Sequence, residues 1–171
     1  MRRWPLRSVA VIGLALLGAC TSAPPPPCPS VVGVPGARNL VRFNGPGRDL
    51  TDVAFEAAIQ RADVIACEVD DNVLTAEMQV TLRATRGPAD IRRMAPVRYF
   101  VAIATRDRKV LAREEFALDI PFEGNRTNVL AVDELEPRIP RGPDKTGADY
   151  VLYVGLVLTP EEFRYNRENG L

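Results

Sequence analysis

The most reactive side chains in this 171-residue chain are three thiols, Cys20, Cys28 and Cys67, and no histidine accompanies them. A cysteine reacts as the thiolate: it attacks an electrophile, holds a soft metal or joins a second sulfur. Without histidine the chain lacks the usual base for serine and cysteine nucleophiles, the commonest metal ligand and the pH switch near neutrality. Triads that depend on histidine are excluded, which leaves alkylation of one cysteine and disulfide formation between the other two. Cys28 and Cys67 are the pair expected to bridge in an oxidising compartment. Their bond closes a loop of about 40 residues, worth roughly 3–4 kcal/mol on the chain-entropy model. It also ties the start of the domain to its second or third strand.

Cys20 has a different setting. Arg2, Arg3 and Arg7 precede an apolar run over Val9 to Leu17, followed by the small residues Gly18 and Ala19. This is the layout of a secretory signal. The run from Val9 to Cys20 would span only about 18 Å as a helix, against a hydrocarbon core of about 30 Å, which disfavours a permanent transmembrane helix. The segment Leu17-Gly18-Ala19-Cys20 resembles the bacterial lipobox, in which the cysteine thiol is alkylated by a diacylglyceryl group before cleavage in front of it. The resemblance implies residues 1–19 as a signal peptide, Cys20 as the lipidation site and a membrane anchor of three acyl chains, where two already hold stably. Thr21 stands where an aspartate would imply inner-membrane retention. The implied location is therefore the periplasmic leaflet of the outer membrane, with residues 20–30, rich in proline, as a stalk.

Removing Arg2, Arg3 and Arg7 from 22 basic residues leaves 19 against 22 acidic ones, a net of three negative charges on the mature chain. Nucleic-acid binding wants a basic face and is not expected. About 140 residues follow the stalk, enough for one domain over 31–171 with a real core.

Four further groups could carry chemistry. Glu68, Asp70 and Asp71 would offer oxygen ligands to a hard cation, but no calcium-loop spacing accompanies them and solvated turn carboxylates are the expectation. Glu114 and Glu115 fall on opposite faces of a strand, so they cannot form a close acid pair. Asp133, Glu134 and Glu136 lie near Arg138 and Arg141, where a polar groove beside a proline-rich loop is conceivable against a background of solvated loop charge. Phe163, Tyr165, Asn166 and Arg167 form a polar-aromatic tail, expected to cap the open end of the domain with Phe163 over the core; the alternative is an interface. No catalytic residue, cofactor or metal is expected from these patterns, and the chain is not read as an enzyme.

The elements that must position these residues are β-strands. Leu74, Ala76, Met78, Val80, Leu82 and Ala84 alternate with polar residues, the strongest period-two signal in the chain. Asn39 to Phe43, Val64 to Val69, Val97 to Thr105, Val110 to Ile120, Val129 to Leu135 and Tyr150 to Leu158 read as further strands, the Val97 and Tyr150 segments central because both faces are apolar. Residues 50–62 fit a helical face and an alternating strand equally, and strand is preferred over 53–60 because the rest is β. Residues 136–147 read as irregular. Thr159-Pro160-Glu161-Glu162 opens a terminal helical turn. Seven or eight strands in about 130 residues predict an all-β fold, an antiparallel β-sandwich of immunoglobulin-like type, with a small β-barrel as alternative.

The segments Arg48-Asp49-Leu50-Thr51-Asp52, Arg86-Gly87-Pro88, Tyr99-Phe100-Val101-Ala102 and Thr159 to Arg167 together resemble a family of small uncharacterised proteobacterial lipoproteins. The resemblance implies a β-rich periplasmic domain and brings no catalytic residues with it. The expected function is a non-enzymatic binding or scaffolding module, held to the membrane by lipid and contacting another envelope protein through sheet edges and the loops around 86–96 and 136–148. The alternative is a small-molecule or metal-binding lipoprotein or chaperone.

Overall fold

The computed structural model describes residues 27–171. Cys20, the signal segment 1–19 and most of the proline stalk lie outside the described residues. The chain forms an all-β sandwich of two sheets, one of them curled into a half-barrel, with a single short helix at its end. In chain order the strands are β1 (Ser30–Gly33), β2 (Asn39–Phe43), β3 (Val53–Asp70), β4 (Val73–Arg86), β5 (Met94–Thr105), β6 (Val110–Pro121), β7 (Asn128–Leu135), β8 (Arg138–Pro140) and β9 (Tyr150–Leu156), followed by helix α1 (Pro160–Glu168). One sheet has the order β1-β9-β5-β6, the other β2-β3-β4-β7, with β8 added beside the lower half of β4. All pairings are antiparallel except β1 with β9.

The strand alternation of β4 becomes its burial. Leu74, Ala76, Met78, Val80, Leu82 and Ala84 are all buried against the opposite sheet, and their polar neighbours point outward. β5 and β9 lie in the middle of their sheet, as two apolar faces require. The core between the sheets centres on Leu40, Phe55, Leu82, Tyr99, Phe122, Ile139 and Leu152.

β3 explains why residues 50–62 match two templates. A 3-10 turn covers Leu50–Asp52, and an 18-residue strand follows without interruption. Its pairing with β4 skips a residue between Ile59 and Arg61 and again between Val64 and Ala66. Each bulge adds one unpaired residue and bends the strand. The core-facing side chains therefore run Phe55, Ala57, Ile59, then Ala62, Val64, then Cys67, Val69. Steps of two interrupted by steps of three look helical in the sequence, yet the backbone is extended throughout. Ile65, the extra residue of the second bulge, is exposed.

Two expectations are corrected. Residues 136–147 are not wholly irregular: β8 pairs with Val73, Leu74 and Thr75, and Ile139 is completely buried. Its flanking prolines hid it, but proline is tolerated on an edge strand. The expected short terminal helix is present, nine residues long, closed at its start by a reciprocal pair: the Glu162 amide donates to Thr159 Oγ1 (3.2 Å) and the Thr159 amide to Glu162 Oε2 (2.8 Å). Phe163 does not cover the core; it is 41% exposed. The residue that seats the helix is Asn166, fully buried, whose Nδ2 donates to the carbonyls of Gly36 (3.0 Å) and Asn39 (2.6 Å). Tyr165 packs edge-on against Phe43, with ring centroids 5.2 Å apart.

Candidate functional site

The sandwich is open along the side where β6 and β7 are the outermost strands. β5 and β6 turn Val101, Ile103, Ala112, Glu114 and Phe116 toward the opposite sheet, but β7 stops at Leu135 and only three-residue β8 continues beyond. The side chains near the β5–β6 turn therefore have no full strand above them. The result is a cleft of about 610 Å³ floored by Val101, Ile103, Phe116, Leu135 and Pro137 and rimmed by Arg113, Glu114, Glu134, Glu136 and Arg138. A neighbouring cleft of about 610 Å³ on the other side of Leu135 shares Glu134, Leu135 and Glu136 and adds Ile65, Glu77 and Met78.

Behind Phe116, in the core beside the first cleft, lies Tyr99. The ring stacks on Phe116 with centroids 5.2 Å apart, and the hydroxyl donates to Asp133 Oδ2 at 2.5 Å across the two sheets. Burial, reinforced by the neighbouring Asp133 carboxylate, pushes the phenol well above its ordinary value, so it remains a proton donor to Asp133. Asp133 is thereby committed to structure.

The rim charges divide in the same way. Arg113 lies over the Phe100 ring, 4.3 Å from its centroid, and pairs with Glu115 at 2.6 Å on the outer face. Arg98 also pairs with Glu115. Glu134 is steered by Gln79, whose Nε2 donates to it at 3.1 Å. The charged groups left at the cleft are two carboxylates, Glu114 and Glu136, with Arg138 as the opposing cation, while Glu134 borders it from the outer face of β7 beside Gln79. No serine, cysteine, lysine or tyrosine lines the cleft, so its reactive side chains are carboxylates. An apolar floor under an acid-rich rim suits a hydrophobic group that carries positive charge.

The residues singled out in the sequence are distributed as follows. Cys28 and Cys67 are joined in a disulfide with Cα atoms 5.7 Å apart. Glu68, Asp70 and Asp71 sit at the β3–β4 hairpin, facing solvent. Among the described residues no three histidine, cysteine or acidic side chains are grouped to hold a metal ion. Glu114 and Glu115 point to opposite faces, one into the cleft and one onto the outer surface. Of the charged group near 133–141, Glu134, Glu136 and Arg138 meet at the cleft. Asp133 turns inward to Tyr99, and Arg141 Nη1 donates to the Lys145 carbonyl at 2.6 Å, outside it. The apolar floor was not identified in the sequence. Its signal was the inward phase of Phe116 on an edge strand, which alone does not say that the facing sheet ends early.

Loop 86–96 is braced from within. The Asp90 carboxylate, 9% exposed, accepts from Arg86 Nε (2.6 Å) and from the amides of Arg92 (2.9 Å) and Arg93 (3.0 Å). Burial would raise its pKa, but these bonds and the Arg86 charge outweigh it and hold the carboxyl below its ordinary value.

Comparison with protein-family models, with curated proteins and with solved structures finds no match to this chain.

Proposed function

We propose that this chain is a lipid-anchored envelope protein, held through Cys20 at the outer membrane with its domain in the periplasm. In this reading it is a non-enzymatic binding module. Its inter-sheet cleft takes an apolar segment bearing positive charge from another envelope protein. The observation that carries the reading is the cleft itself: an apolar floor at the end of a sandwich, an acid-rich rim and no hydroxyl, thiol or amine among its lining side chains. Loops and sheet margins on a rigid scaffold are where binding surfaces sit. The Cys28–Cys67 disulfide supports an oxidising compartment.

A photo-crosslinking residue placed at Glu136 in living cells tests it, with the same residue at Arg83 on the outer face as control. A discrete adduct at 136 that disappears in Glu114→Lys/Glu134→Lys supports the reading. Identical adduct patterns at 136 and 83, or none at 136, count against it. The cleft volume also falls within the roughly 300–1,000 Å³ of small-molecule sites. A small cationic amphiphile is therefore the second reading. It requires stabilisation of the purified protein by such compounds and its loss in the same double variant.

A further inference from the structure

We propose that the β5–β6 hairpin, residues 106–111, is a second membrane contact that docks on anionic phospholipid headgroups and sets the orientation of the tethered domain; this rests on the lipid-anchor reading above. The first argument is position. Gly147 packs directly on the Pro27 carbonyl, where a Cβ would lie 1.9 Å away, so the chain enters the domain against the turn at Gly147–Asp149. Arg106 of the hairpin donates to the Ala148 carbonyl of that same turn. Hairpin and entry point therefore occupy one end of the sandwich. The seven residues from Cys20 to Pro27 span at most about 25 Å. The opposite end lies a further strand length away, about 40 Å for the twelve residues of β6.

The second argument is charge and conformation. The hairpin carries Arg106, Arg108 and Lys109 against one acid, Asp107. Arg108 adopts a left-handed backbone, φ 67°, where glycine or asparagine would fit with less strain. Arg93 has a similar φ of 53°, but its side chain is used internally, donating to the carbonyls of Phe122 and Gly124. The Arg108 and Lys109 side chains make no hydrogen bond or ion pair with another described residue. Immediately after them, Val110 and Leu111 are 58% and 47% exposed. Cations beside exposed apolar side chains match a membrane interface, where the charges meet phosphates and the apolar groups enter the headgroup boundary. Of the other carboxylates at this end, Asp149 is held by Lys145 and the Thr146 amide within its own turn, and Glu68, Asp70 and Asp71 are on the β3–β4 hairpin of the other sheet. The β5–β6 hairpin would therefore face the lipid, with the acidic hairpin tilted away.

Trp4 is the only tryptophan and precedes Cys20, so Leu111→Trp gives the mature chain a single fluorescent reporter. The full protein, purified from membranes and reconstituted in vesicles, is compared with Ile91→Trp, a reporter in loop 86–96 at the far end. In vesicles of brominated anionic phospholipid, the fluorescence of Leu111→Trp should be quenched and that of Ile91→Trp should not. Quenching at position 111 should vanish in zwitterionic vesicles and in the Arg108→Glu/Lys109→Glu background. Equal quenching at positions 111 and 91, or quenching at 111 indifferent to lipid charge, overturns the proposal. The mass of the purified chain separates the two layers. Missing acyl mass overturns the anchor and the docking with it, whereas acylated protein with an unquenched reporter at position 111 overturns the docking alone.

Discussion

The Tyr99 hydroxyl reaches across the sandwich to the Asp133 carboxylate, 2.5 Å away, and is the polar tie between the two sheets beside the cleft. Removing it with Tyr99→Phe leaves a partly buried carboxylate without its donor, which should cost about 1–3 kcal/mol. A urea unfolding midpoint measures the loss, and Asp133→Asn should recover part of it in the double variant.

The same pair makes a high-pH prediction. The folded phenol titrates above its ordinary value of 10.0, so its contribution is fully present below that value and is lost as pH rises through the folded pKa. Stability should decline above about pH 10, and more steeply in the native protein than in Tyr99→Phe. In an absorbance titration, one of the four tyrosines should resist ionisation until the protein unfolds. A titration in which all four ionise together in folded protein would contradict the buried bond.

Asp90 gives the opposite sign. Its folded pKa is depressed below the ordinary 3.8, so its stabilisation is present above that value and is lost as pH falls through the depressed one. Asp90→Asn should cost about 2–3 kcal/mol at neutral pH, the worth of a charge-assisted bond with its backbone partners. The gap between wild type and variant should narrow as the pH falls below 3.8 and through the depressed folded value. A pH-independent gap would mean that the carboxylate charge contributes nothing.

Breaking the Cys28–Cys67 bond releases a loop of sequence separation 39. Reduction, or Cys28→Ser, should destabilise the domain by about 3–4 kcal/mol. The melting temperature of the native protein should fall on adding a reductant, and that of Cys28→Ser should not respond. An unchanged melting temperature in both would contradict the bridge.

Asn166→Ala deletes both bonds that seat helix α1 on Gly36 and Asn39. The two carbonyls lose their donor, at about 1–3 kcal/mol. Hydrogen exchange should show α1 opening before the sheets in this variant, whereas Phe163→Ala, at an exposed position, should leave exchange there nearly unchanged.

Much of the sandwich is legible in the sequence. β4, β5, β6 and β9 announce themselves because a strand half or fully buried must repeat every two residues or be apolar on both faces. The disulfide partners are legible by elimination once Cys20 is set aside. Loop 86–96 shows its turn chemistry but not the buried Asp90 that braces it.

What one strand cannot encode is where its neighbour ends. Composition, the absence of histidine, the cysteine pair and the alternation of β4 are local properties of the chain, and they determined the fold class and which reactions are out of reach. The phase jumps in β3, the pairing of β8 and the choice of Asn166 over Phe163 as the seat of α1 depend on partners distant in the sequence, as far as 130 residues for Asn166 and Gly36. The cleft has the same origin. Phe116 and Leu135 are ordinary half-buried residues on their own strands, and they line one cleft only because β7 stops short of the β5–β6 turn, a mismatch of strand lengths that exists only once two sheets are packed face to face.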